Sequence, residues 1–210
     1  MRTRFNAAFL VLVIAGLLAG VLLAYGTASA GGGEQIGNTA PMYDFQDHGG
    51  VNIMFPKERG TSSLVRDLEG ITMSLDTTDL PVGAFTVWWV IFNNPSACSN
   101  EDCGSSDTGG GGRPNPAEAS VLWATGGIVG PDRVGHASAH LKVGLENAPG
   151  YVHRGPGLTN PMGAEVHLVI KFHGPPQYDD AEVFLTQLTT FVGDCARLLC
   201  YLPQSAVHFP

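Results

Sequence analysis

Apolar and polar positions alternate with a period of two along several stretches of this chain. Residues 70–77 put Ile71, Met73 and Leu75 on one face and Thr72, Ser74 and Asp76 on the other, which predicts a half-buried strand. Residues 84–93 (AFTVWWVIFN) are β-branched and aromatic on both faces, the pattern of a strand in the middle of a core. Residues 119–129 and 133–143 predict two more strands, joined through Gly130-Pro131-Asp132 as a hairpin. Residues 163–173 predict another, with Val166, Leu168, Ile170 and Phe172 facing in, ended by Gly174-Pro175-Pro176. The period then changes. Ala181, Phe184, Leu185, Leu188, Phe191 and Val192 recur at helical spacing, with Asp179 or Asp180 to cap the start and Gly193 the end. Residues 205–209 predict a last short strand. Together these elements predict a mainly β fold. Its simplest form is an antiparallel β-sandwich of about seven or eight strands with one late amphipathic helix lying over part of it.

The first thirty residues break this pattern. Arg2 and Arg4 precede an uncharged, mostly apolar run from Phe5 to Tyr25, and Ala28-Ser29-Ala30 offers small residues to a peptidase. That order is the one of a secretory signal peptide cut after Ala30. Left uncut, a run close to the ~20 residues that span a bilayer would instead anchor the domain outside the cell. Membrane contact is expected only through this segment, and only if it stays uncut. Residues 31–50, rich in Gly, Asn and Asp, predict a flexible leader that becomes ordered near Tyr43 and Phe45, and residues 51–210 a single domain. Cleavage removes Arg2 and Arg4, leaving 180 residues and taking the formal charge from −8 to −10. Nucleic-acid binding, which needs clustered Lys and Arg, is excluded. Low charge (14 %) with 28 glycines and 14 prolines fits a turn-rich extracellular β domain better than a helical bundle.

The cysteines fall into two close pairs, Cys98 with Cys103 and Cys195 with Cys200. Local disulfides are expected, each removing only roughly 2 kcal/mol of unfolded-chain freedom because the loops are so short. A four-thiolate zinc site is disfavoured by the CxxxxC spacing and by the oxidising exterior. Gly109–Gly112 sits in the loop after the first pair. It lacks the following Lys-Ser/Thr of a phosphate-binding loop.

Histidine is the one reactive side chain present in number. His136 and His140 share a strand face, and His167 and His173 share another with Glu165 and Lys171. A Cu or Zn site is conceivable from His140 and His167, with His136, His173 and Glu165 nearby, provided the two strands are neighbours. His136 and His140 lie about 13 Å apart along an extended strand, too far for one metal. Glu165 and His167, about 7 Å apart on the same face, form a candidate acid/base pair. The plainer alternative places all five on an ordinary outer sheet face. Trp88 and Trp89 point to opposite faces, so at most one can serve as a sugar-stacking platform. GxSxG, HExxH and DxDxDG motifs are absent.

The strand FTVWWVIFNNPSAC, the pair ASVLWATGGIVG and GHASAHL, the segment GLTNPMGAEVHLVIKFHGP and the ending CYLPQSAVHF resemble a family of secreted bacterial proteins. The resemblance covers about residues 70–210. A weaker similarity, of fold alone, links the hairpins and histidine-bearing strand to CHRD-type β domains of extracellular proteins. The resemblance implies export and a β fold and brings no catalytic residue with it. The reading at this stage is an exported extracellular or envelope-associated binding or structural domain, taking an extracellular ligand or envelope component and needing no cofactor. The alternative is a Cu- or Zn-binding protein or metal-dependent enzyme built on the strand histidines.

Overall fold

The computed structural model describes residues 35–48, 51–100, 102–144 and 152–210, and of residues 46–48 and 51–56 the backbone alone. The signal segment lies outside the described residues. Among the described residues nine strands form one antiparallel sheet: β1 (Ile36–His48), β2 (Val51–Arg66), β3 (Gly70–Thr77), β4 (Gly83–Phe92), β5 (Ala119–Val129), β6 (Gly135–Lys142), β7 (Val152–Arg154), β8 (Glu165–Phe172) and β9 (Tyr201–His208). Their order is β6-β3-β2-β1-β9-β8-β4-β5-β7. The sheet curls into a half-barrel around one core. No helix among the described residues is long and apolar enough to cross a membrane.

This corrects the sandwich. One continuous sheet replaces two, because β1 and β2 bridge what would otherwise be its halves. Neither strand alternates clearly: residues 36–48 read IGNTAPMYDFQDH, which resembles a leader. The β1–β2 register nevertheless runs from Ile36↔Arg66 to His48↔Val51, with shifts at Met42/Tyr43 and Tyr43/Phe45. Such bulges let long strands bend. Ala40, Met42 and Leu64 are buried in the core. Ile36–His48, assigned to the flexible leader, is therefore strand.

The expected hairpin is also corrected. The chain does turn after β5, but β5 pairs with β4 and β6 pairs with β3. Leu141, Ala139 and Ala137 stand opposite Ile71, Met73 and Leu75, so β6 completes the apolar face that β3 presents. Strand β9 is longer than expected and lies inside the sheet, between β1 and β8.

Strand β4 shows both faces at work. Phe85, Val87, Trp89 and Ile91 enter the core with Leu168, Ile170 and Met73. Phe92 on the other face joins a second cluster with Cys103, Ala117 and Ala119. Trp88 and Trp89 are each 1 % exposed, so neither is a sugar platform. One helix, α1 (Ala181–Thr189), covers part of the outer face. Asp180 caps it, accepting from Val183 N at 3.1 Å. It ends before Phe191 because Thr190 is extended and Thr186 and Thr190 turn their hydroxyls onto backbone carbonyls. The fully buried side chain of α1 is polar: Gln187 Nε2 donates to His173 O at 2.8 Å and Pro175 O at 3.0 Å. Leu185 is instead exposed. Gly126 of β5 lets α1 approach, since a Cβ there would lie 2.1 Å from Leu188 O.

A buried polar hub ties β9 to β1 and β2. Arg66 donates through Nη1 to Pro161 O and Ala164 O (2.9 and 2.8 Å) and through Nη2 to His208 O at 3.2 Å. The ring of His208 meets Asn38 Oδ1 at 2.8 Å through Nδ1 and Ser62 Oγ at 2.9 Å through Nε2. Asn38 Oδ1 can only accept, so Nδ1 carries a hydrogen. Burial, then the charge of Arg66, then His167 nearby, lower the His208 pKa to about 4. An unfolded histidine titrates near 6.5. Between those values the unfolded chain holds a proton that the folded one refuses, so folding weakens as pH falls from about 6.5 to 4. The expected slope from this residue is at most ~1.4 kcal/mol per pH unit. Urea unfolding at several pH values should show that slope, flattened in His208→Asn; an identical slope in the variant would refute the assignment.

Candidate functional site

The five sequence-derived candidates separate into three places. His136 and His140 stand on edge strand β6 and bond across to β3: His136 Nδ1 to Asp76, and His140 Nδ1 to Thr72 Oγ1 at 2.8 Å. The His136 and Asp76 side chains are more than two-thirds exposed. Strands β3, β2, β1 and β9 intervene between β6 and β8. His140 and His167 therefore do not meet, and the strand-to-strand metal site expected from them is not formed.

Strand β8 carries Glu165 and His167 on its outer face, and His173 follows directly after it. At one end, His167 Nε2 donates to Glu165 Oε1 at 2.5 Å. The backbone N of Cys103 donates to the same oxygen at 3.1 Å. Glu165 is 1 % exposed. The strand spacing puts their backbones about 7 Å apart, and the side chains fold toward each other to close that gap. Their combined effect is to hold the Cys98–Cys103 loop, whose disulfide is formed, against the sheet. A buried carboxylate needs such donors.

At the other end lies a group the sequence did not assemble. His173, fully buried, sits just past β8. Its backbone N donates to Ala84 O at 2.8 Å. Its Nε2 lies 2.8 Å from Thr86 Oγ1, which also accepts from Trp88 Nε1 at 2.6 Å. Indole N–H is a donor only, so the Thr86 hydroxyl hydrogen is available to Nε2. Nδ1 then carries the ring hydrogen and faces Cys195 Sγ and Cys200 Sγ, each at 3.8 Å. Those two sulfurs are joined in the second disulfide. Burial, then the charge of Lys171, lowers the His173 pKa to about 4. Gly193 keeps the approach to Nδ1 open: a Cβ there would lie 2.3 Å from that atom, and its φ of +53° suits glycine. Phe191 closes the outside. It meets Trp88 edge-on at 5.1 Å and stacks on His153 at 4.6 Å, with Lys171 Nζ 3.8 Å from its ring centre. The candidate residues were visible in sequence as a histidine and a CxxxxC loop, but 22 residues separate His173 from Cys195.

A third feature was missed altogether. An open cavity of about 410 Å³ is lined by Asp44, Phe45, Asp79, Arg133, Tyr201 and Gln204, among others. Arg59 grips Asp44 with both Nε and Nη2 (2.7 and 2.6 Å) and also bonds Asp79. Asp79 and Arg133 both have a φ of +60°. They are held there by Arg133 Nη2 to Asp79 O (2.9 Å), Arg133 Nε to Leu80 O (3.0 Å) and Leu80 N to Arg133 O (3.1 Å). Non-glycine residues in that region persist only where surroundings enforce it. Tyr201 is 43 % exposed at the rim.

The chain matches no family model, no curated protein and no solved structure. The chemistry of these sites therefore rests on their geometry, which distinguishes the two threonines that meet histidines. Thr86→Val strips a partner from both His173 Nε2 and Trp88 Nε1 in a dry layer, and should cost about 1–3 kcal/mol. Thr72→Val removes only the exposed partner of His140 and should stay within about 0.5 kcal/mol of the parent. Equal losses in denaturant unfolding would show that the His173 network contributes nothing special.

Proposed function

We propose that this chain works outside the cytoplasm as a binding domain, exported by its first thirty residues. The observation that carries the binding half is the cavity beside β9. Its charged rim is fixed in advance: Arg59 is ion-paired to both Asp44 and Asp79, and Arg133 is tied to two carbonyls. Phe45 and Tyr201 add aromatic lining. Few, well-positioned polar groups around an aromatic face suit a small hydroxyl-rich ligand such as a saccharide. Export is supported by the signal-like order of residues 1–30 and by two disulfides with no free cysteine, since such bonds persist in oxidising compartments. The alternative of a metal carried jointly by His140 and His167 is set aside, because four strands lie between theirs.

Two measurements test this. Mass spectrometry of the protein from its native host should find a chain beginning at Gly31 with four oxidised cysteines; an intact Met1 with four free thiols would end the export reading. Titration calorimetry against a panel of neutral and acidic oligosaccharides should find a binder whose affinity falls about tenfold or more in Tyr201→Ala. Binding that survives this substitution in a folded variant would remove the cavity from consideration.

A further inference from the structure

We propose that His173, Cys195 and Cys200 form a redox-gated site for a thiophilic cation of the Zn2+ type, shut while the disulfide stands and opened when a dithiol reduces it. The argument is geometric. The three donor atoms, one imidazole nitrogen and two sulfurs, lie within 4.8 Å of one another. Zn–S and Zn–N bonds near 2.3 and 2.1 Å in a tetrahedron put adjacent donors roughly 3.5–3.8 Å apart. The two N···S distances, 3.8 Å each, are already close to that. Only the two sulfurs must separate. They belong to a segment, residues 193–200, without helix or strand, and both cysteines are partly exposed, so a reductant can reach them and the loop can widen.

The histidine is also prepared as a ligand. Metal-bound imidazoles are oriented by a hydrogen bond at the other ring nitrogen. Thr86 Oγ1 already sits 2.8 Å from Nε2. A hydroxyl both donates and accepts, so it can give its hydrogen to Nε2 in the oxidised protein and take one from Nε2–H once Nδ1 holds the cation. The peptide of His173 is fixed on both sides, by Ala84 O and by Gln187 Nε2. The other disulfide serves as an internal comparison: Cys103 has its backbone N on Glu165, and among the described residues the only such donor group is His173, Cys195 and Cys200.

The chemistry balances in two steps. A dithiol delivers two electrons and two protons to the Cys195–Cys200 bond, leaving two thiols and its own disulfide. The cation then displaces one proton from each thiol and takes the Nδ1 lone pair, the ring hydrogen moving to Nε2. Three protein ligands leave a fourth position open to water.

The test uses the full chain, oxidised or reduced with a phosphine, then loaded with Zn2+ and desalted. The reduced protein should retain one zinc per chain by elemental analysis, and the oxidised protein none. In the unmodified sequence, Zn2+ should shield Cys195 and Cys200, but not Cys98 and Cys103, from alkylation mapped by mass spectrometry. Thr86→Val should weaken zinc binding roughly 10–100-fold, and Cys98→Ser/Cys103→Ser should leave the stoichiometry at one. Absence of zinc from the reduced protein, equal alkylation of all four cysteines, or zinc that persists in Cys195→Ser/Cys200→Ser would each overturn the proposal. Because the alkylation reading needs no substitution, a variant that fails to fold does not blunt it.

Discussion

Strand β4 cannot face water on either side, and much of the architecture follows from that. Val87, Trp89 and Ile91 are buried in the interior of the half-barrel, while Trp88 and Phe92 are just as buried on its outside. Burying each large apolar side chain is worth about 1.5–3 kcal/mol. Two coverings meet the requirement on the outer side. The Cys98–Cys103 loop closes over Phe92 and Ala119. Helix α1 and the segment after it close over Trp88, with Phe191 against the indole. The disulfides sit in these coverings, not in the sheet. Each closes too small a ring to hold the fold on its own, so their contribution is to give the coverings a fixed shape.

The covering layer explains why polar groups occur where the strand pattern calls for an outer face. Glu165, His167 and His173 alternate regularly with Val166, Leu168 and Phe172, yet water does not reach Glu165 or His173. Each is satisfied by a group from the covering itself or from β4: Cys103 N on Glu165, Thr86 Oγ1 and Gln187 on His173. These bonds give the coverings their register, because an apolar contact alone would tolerate sliding and a buried unpaired carboxylate or imidazole would not.

How far the sequence could be read follows from which forces act locally. The strands through residues 70–77, 84–93 and 163–173 were legible because each carries its own periodicity. The Asp180 cap was legible because it acts three residues away. Strands β1 and β2 were hidden, since Gly37, Asn38 and Pro41 look like linker and their pairing depends on a partner in the sheet. The β5–β6 turn was visible, but not that its two arms go to different neighbours; β6 takes the edge of β3 that β2 leaves unpaired. The candidate site was half visible: His173 and the cysteine pair were each noted, and their meeting depends on a tertiary path through α1. The cavity beside β9 was invisible, because Asp44, Asp79, Arg133 and Tyr201 come from four separated segments.

Strand β9 has a consequence for how the protein is made. It follows every other strand in the sequence, yet it occupies an interior slot, with Tyr43↔Ser205 on one flank and Val169↔Ser205 on the other. Until residues 201–208 are present, the edges of β1 and β8 have no mate and the half-barrel is two separate pieces. Pairings across such sequence distances form slowly. Sealing the sheet is thus left to the final stretch of the polypeptide.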